Sequence, residues 1–323
     1  MLAIFVGFTI AAAGIAQDDD AFSTQVRVAC VAPLGARPIV EDIVVQPVAA
    51  ANGDLPALRV AVVSTGAWMT VYHDAASEDV AWARASCLGA QLRLLGEATG
   101  DRRRDGRWAS VVFTVDEGYI PPRDGTDIRW IVTTVAGIGL DAAAQDKLVA
   151  VIPHEQVHAF QRRLGAQTPR WFHEGHAEWI GRQVTSILSP AHATEQTEAG
   201  AAALAASRSP VALRQWGGVS IRREAILRQV SADDRARMEA DPAYAPPGPF
   251  SFGPNDMQSD ESNAAARYQA AWSLFRDLAQ AHGPETVRNW VREATETGSR
   301  VSHDDLLSSA RRALGSDLST RFE

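Results

Sequence analysis

Hydrophobic and polar positions alternate with a short period in the first quarter of the chain. Residues 25–32 (QVRVACVA), 39–48 and 58–63 are rich in Val and Ile, and the whole span 22–75 reads as strands. Asn52-Gly53, between two of these runs, is a hairpin turn signal. The period then lengthens. Val80, Ala83, Cys87, Leu88, Leu92 and Leu95 recur at three-to-four spacing and predict a helix over 79–97, with Ser77 or Asp79 to cap it. Residues 108–115 and 128–135 predict two more strands. From Asp141 onward the pattern is helical: an Ala-rich stretch at 194–206, a charged amphipathic one at 222–237, and a pair at 263–281 and Pro284–Thr295 split by Gly283-Pro284. These elements predict an α+β chain, with a mixed sheet in the N-terminal half and helices in the C-terminal half. Residues 241–260 hold five prolines and three aromatics and read as a loop, long enough to serve as a lid or wall beside a site.

Composition narrows the function classes. The chain has 323 residues, 46 % of them hydrophobic and 22 % charged, which suits a folded protein and excludes a polytopic membrane one. The net charge of −8 argues against gripping a phosphate backbone, so no nucleic-acid partner is expected. Residues 1–16 (MLAIFVGFTIAAAGIA) carry no charge and end in small residues, like the apolar core of a signal peptide without its basic start. An exported chain, periplasmic or secreted, is the expectation, with no membrane span beyond a signal or anchor at that end. The boundaries expected are therefore 1–16, 17–187 and 188–323. Cys30 and Cys87 lack the close pairing of a metal knuckle. They read either as two buried thiols or as one disulfide tying the first strand to a later helix; export favours the bond.

The chemistry is carried by His154-Glu155-Gln156-Val157-His158. On a helix, four residues turn about 400°, so both imidazoles share one face about one turn apart. Two such rings can hold one Zn²⁺, and Glu155, about 100° from His154, can take a proton from a water beside it. The flanking Leu148, Val149, Val151, Ile152, Val157 and Phe160 place the motif on a buried or cleft-facing helix, with Gly165 to end it. Pro153 removes a donor just before His154 and requires a helix start or a kink there. A histidine six residues beyond His158 would complete another ligand pattern, but Leu164 occupies that place. Downstream, PRWFHEGHAEW (169–179) opens a second helix on which Glu174 and Glu178 share a face. One can bind the metal while the other accepts the free N–H of a ligating histidine. His173 and His176 read as non-ligands, and His73, His192, His282 and His303 as isolated.

HEQVH followed by PRWFHEGHAEW resembles the gluzincin zinc metallopeptidases, in particular the peptidase MA-like family, related to M1 aminopeptidases and thermolysin-like enzymes. The resemblance implies a zincin catalytic domain with one Zn²⁺ per chain held by His154, His158 and Glu174, and Glu178 orienting His154. It also implies Glu155 as general base on a metal-activated water and, through RYQAAW at 267–272, Tyr268 as the phenol that steadies the oxyanion. The distance from His158 to Glu174 is a few residues shorter than in M1 enzymes, and no GAMEN segment is present. The expected activity is hydrolysis of peptide or protein substrates. The alternative is a zinc-binding scaffold without proteolysis, and hydrolysis of a non-peptide amide is a further option. The residues give no oligomeric state.

Overall fold

A computed structural model describes residues 19–49, 55–101, 106–121, 128–207, 211–241, 243–259, 262–296 and 298–322. The signal-like segment 1–16 and the Asn52-Gly53 turn lie outside the described residues. Two compact units emerge. One comprises the chain up to Pro153 together with Gln183–His192; the other is His154–Arg182 and Ala193 onward. The division runs through three helices, between residues 153 and 154, 182 and 183, and 192 and 193.

The first unit is a five-stranded sheet with helices. Its strands are β1 (Ile43–Val48), β2 (Ala57–Val62), β3 (Trp68–His73), β4 (Ser110–Thr114) and β5 (Arg129–Thr133), in spatial order β1-β2-β3-β4-β5. β1–β2 and β2–β3 are antiparallel; β3–β4 and β4–β5 are parallel. Pro47 is tolerated because β1 is an edge strand. Residues 25–32 are not a strand: helix α1 (Asp19–Cys30) occupies that stretch. Val26, Val28 and Cys30 do alternate, but Phe22, Val26, Ala29 and Cys30 are the buried set and Val28 is exposed. That is helical spacing, and tertiary packing selects it over the β-branched preference.

Helix α2 (Glu78–Thr99) follows β3 and is buried on most sides. A Cβ on Gly89 would overlap Ile43 and Val60, so this glycine sets how closely α2 lies on the sheet. Ser77 precedes α2 without capping it; its hydroxyl instead meets Thr134 Oγ1 at 2.7 Å. Cys30 and Cys87 form a disulfide, and it joins α1 to α2, two helices.

Helix α3 (Ala142–Asp146) leads into a single π-helical turn, Lys147–Val151, and then α4 (Ile152–Leu164). Pro153 stands in the first turn of α4, at the helix start its missing donor asks for. In the π turn Ile152 N–H donates five residues back, to the Lys147 carbonyl. The next donor in that series would serve Leu148, but it belongs to Pro153, which has none. Gln91 Nε2 donates to the Leu148 carbonyl instead, at 2.9 Å.

The second unit is helical, as expected of the C-terminal half. It holds most of α4 and α5 (Arg170–Leu188), most of α6 (Pro190–Ala206), and then α7 (Arg223–Leu227), α8 (Ala232–Ala240), α9 (Ala264–His282), α10 (Pro284–Thr295) and α11 (His303–Leu314). The charged stretch 222–237 is thus two short helices. The Pro-rich segment ends in β7 (Met257–Ser259), which pairs antiparallel with β6 (Val219–Ile221). The core is aromatic: Phe172 lies edge-on to Phe275 and Trp290, and Trp179 stacks on Phe275. No described helix is long and apolar enough to cross a membrane.

Candidate metal centre

The motif falls in the first turns of α4, beyond the point where Pro153 is costly. His154 and His158 lie edge to face, ring centroids 4.7 Å apart, with their Nε2 atoms at 3.1 Å. Gly165, with φ of 80°, ends α4. A short turn through Pro169, whose carbonyl accepts from the Phe172 and His173 N–H groups, starts α5. The two helices approach closely because Gly181 faces the α4 backbone: a Cβ there would stand 3.0 Å from His154 Cα. Gly175 does the same toward α9, where a Cβ would meet the Ala271 carbonyl at 3.0 Å. These two small residues let α5 bring Glu174 and Glu178 to α4 while α9 brings Tyr268.

Glu174 Oε2 lies 3.3 Å from Nε2 of both histidines. Donors about 2.0–2.1 Å from a tetrahedral zinc stand roughly 3.3–3.4 Å from one another. The separations of 3.1, 3.3 and 3.3 Å match that spacing. Among the described residues this is the group of histidine, cysteine or acidic side chains able to hold a metal ion.

Proton placement supports the same conclusion. Gln161 Nε2 donates to the His173 carbonyl at 2.8 Å, which fixes Gln161 Oε1 toward His158 Nδ1 at 2.7 Å. An amide oxygen only accepts, so neutral His158 carries its proton on Nδ1 and presents a lone pair at Nε2. Glu174 Oε2 is buried without a well-formed hydrogen bond. With His154 neutral, lone pairs face one another across 3.1–3.3 Å, and a proton on His154 or a bound cation relieves them. Zinc, with two imidazoles and one carboxylate, fits this donor set.

The electrostatics agree. Burial, the largest influence on His154, pushes its pKa down, but contacts with Glu174 and Glu178 outweigh it and raise it to about 9. Burial works against the Glu174 charge, yet His154 and His158 hold this carboxyl far below the ordinary range. Without a metal, His154 thus holds its proton at neutral pH against the two carboxylates of Glu174 and Glu178.

Each histidine has its own support. His154 Nδ1 lies 3.1 Å from Glu178 Oε1; Glu178 Oε2 meets Arg182 Nε at 2.6 Å, and Arg182 donates to Gln269 Oε1 at 3.0 Å. His158 relies on Gln161, whose Nε2 also faces His176 Nδ1 at 3.2 Å. Sequence reasoning overlooked Gln161, Arg182 and Gln269. The signals were present for the first two, which stand three residues after His158 and four after Glu178.

His173 and His176 stay outside the donor triangle. His173 stacks flat on His158, centroids 4.2 Å apart, and burial lowers its pKa to about 4. His176 is fully buried, and its pKa is pushed down to about 3. The other four histidines have local partners: Asp74 O for His73, Ser189 for His192, Ser316 for His282 and Trp171 for His303.

Glu155 is half-buried on α4, and its charge acts on Arg162. Tyr268, also half-buried, has its ring 6.1 Å from that of His154, packs edge-on to Trp216 and hydrogen-bonds to Arg170. Burial raises its pKa, with the Glu174 charge adding to the rise, so the phenol keeps its proton. The chain matches no protein-family model and no curated protein sequence.

Proposed function

We propose that this chain is a zinc-dependent metallopeptidase of the gluzincin kind, built on a zincin fold, and that it hydrolyses peptide bonds. The observation that carries the proposal is the convergence of His154 Nε2, His158 Nε2 and Glu174 Oε2 at tetrahedral spacing. Zinc held by these three atoms would supply Lewis acidity to a water and to the substrate carbonyl. Glu155 takes the proton of the attacking water and passes it to the leaving amine. The Tyr268 phenol donates a hydrogen bond to the oxyanion as negative charge develops. Glu178 and Gln161 hold the two imidazoles in the tautomer that frees Nε2. The Cys30–Cys87 disulfide favours an exported chain, periplasmic or secreted.

The test compares wild type with Glu155→Gln on casein and a mixed peptide library, with zinc counted by mass spectrometry. Cleavage should fall by about 10²–10⁴-fold in the variant, while each chain still binds one zinc. Zinc binding with equal inactivity in both proteins would instead establish a zinc-binding scaffold.

A further inference from the structure

The second unit contains a cavity of about 920 Å³ whose lining is strongly one-sided in charge. Arg162, Arg170, Arg214 and Arg300 all line it, and among the described residues no aspartate or glutamate does. Chance would favour the opposite, because the chain carries 39 acidic against 31 basic residues. Its volume is that of a site for a small ligand or a few side chains.

The arginines are only partly compensated. Arg170 stands 3.6 Å from Glu174 Oε1, so its charge is shared with the metal centre. Arg162 feels the charge of Glu155. Arg214 pairs with Asp304 at 3.3 Å, but both side chains are largely exposed, and such a pair is weak. Arg300 is exposed and makes no ion pair among the described residues. Arg214 and Arg300 therefore offer cationic hydrogen-bond donors to the cavity.

The cavity also borders the metal centre. His173 lines it and stacks on His158, 4.2 Å between ring centroids. Trp216 lines it and packs edge-on against Tyr268, 4.8 Å between centroids. Arg170 lies over Trp216 and hydrogen-bonds to Tyr268. Gly217, with φ of 75°, makes room for Arg170: a Cβ there would stand 2.9 Å from Arg170 Cδ. A peptide group placed at the metal centre would lie beside Arg170, which lines this cavity with the other three arginines.

We propose that this cavity is an anion subsite that takes a peptide carboxylate, so that the enzyme selects substrates with an acidic group beside the scissile bond. Planar guanidinium forks suit a carboxylate, which accepts two parallel hydrogen bonds. The carboxylate has two sources, an Asp or Glu side chain or the free C-terminus. The subsite rests on the metallopeptidase reading for its role in catalysis, but binding tests it separately.

The first experiment uses Glu155→Gln, with and without added zinc, and follows binding by calorimetry. The probes are an acetylated and amidated pentapeptide with one central glutamate, its glutamine counterpart, and the glutamine peptide with a free C-terminus. The glutamate peptide, the free-ended peptide or both should bind about 10- to 100-fold more tightly than the blocked glutamine peptide. Which one does so identifies the source of the carboxylate. Arg214→Ala/Arg300→Ala in the same background should erase most of the difference, and Arg214→Gln/Arg300→Gln repeats the test with less loss of packing. The second experiment profiles a blocked peptide library with otherwise wild-type enzyme and with Arg214→Glu/Arg300→Glu. Charge reversal should turn an acidic preference into a basic one. Equal binding of all three probes, or a preference untouched by the arginine variants, overturns the subsite. Cleavage without acidic preference leaves the peptidase standing and removes the subsite. Carboxylate binding lost in the arginine variants, with no cleavage by wild type, keeps the subsite and removes the peptidase.

Discussion

Several buried polar side chains of the sheet-bearing unit serve the backbone, whereas the ionisable ones of the α4–α5 pair meet one another. In the first unit Gln91 donates to the Leu148 carbonyl, Arg84 to that of Ala32, and Ser86 to that of Pro38. Asp74 accepts from the N–H groups of Ser77 and Val115. Each such bond serves a backbone group, although Arg84 Nε, Gln91 Oε1 and Trp130 Nε1 stay buried without a well-formed hydrogen bond. Around α4 and α5 the relation reverses. His154, His158, Glu174, Glu178 and Arg182 point at other side chains, and three of their atoms share one point. Burying these groups is costly unless they are paired with each other or with an ion. A helix pair that buries so many ionisable groups against one another is consistent with the proposed metal site.

The largest effect should come from the donor set itself. Glu174→Gln keeps the shape but removes the anionic donor. Second-sphere losses cost metal sites about 10–100-fold in affinity, and a lost ligand must exceed that. Zinc affinity, measured against a chromogenic chelator, should fall by more than about 100-fold. Unchanged affinity would erase the distinction between the two regions.

The metal-free protein should next show an alkaline loss of stability. His154 has its pKa raised from 6.5 to about 9 in the fold. The folded state therefore binds a proton that the unfolded state releases. This contribution is fully present below pH 6.5 and disappears as pH rises through about 9. Each pKa unit is worth about 1.4 kcal/mol, so roughly 3–4 kcal/mol is at stake. Urea titrations between pH 6 and 10 should show the decline without zinc and lose it with zinc bound. A flat metal-free profile would mean that Glu174 and Glu178 do not hold a charge in this pocket.

How much of this was legible in sequence depends on range. His154 and His158 could be read because their geometry is set by four residues of helix. Glu174 and Glu178 could be read from a second local segment and a family likeness. Gln161 and Arg182 stand at helical spacing from residues already singled out, and attention to that spacing would have found them. Helix α1 was misread because V-x-V alternation fits both periods over so short a run, and only packing on α2 separates them. The cavity arginines could not be read, since Arg162, Arg170, Arg214 and Arg300 meet only through the folded chain. The accommodation of Pro153 was equally hidden: the anomaly is local, but its remedy, Gln91, lies far upstream.

Supporting residues should sharpen the comparison from within the site. Glu178→Gln and Gln161→Leu each remove the partner of one imidazole and should weaken zinc by about 10–100-fold. The two differ in kind. Glu178 brings a charge, so its loss should also lower the His154 pKa of the metal-free protein, visible as an earlier alkaline decline. Gln161 brings only a tautomer preference, so its loss should leave that decline in place. NMR titration of the imidazole resonances distinguishes the two.

The smallest effect belongs to the first unit. Gln91→Leu removes the donor that stands in for the N–H missing at Pro153 and leaves the Leu148 carbonyl buried and unserved. A neutral hydrogen bond lost in this way costs on the order of 1 kcal/mol. The variant should therefore melt slightly earlier, read by circular dichroism, and still bind one zinc with wild-type affinity. Affinity falling along with stability would show that the π turn before His154 also positions the first imidazole. Gln91 would then belong with the side chains that build the site, and the contrast between backbone-serving and ligand-serving polar groups would fail at the turn where α4 begins.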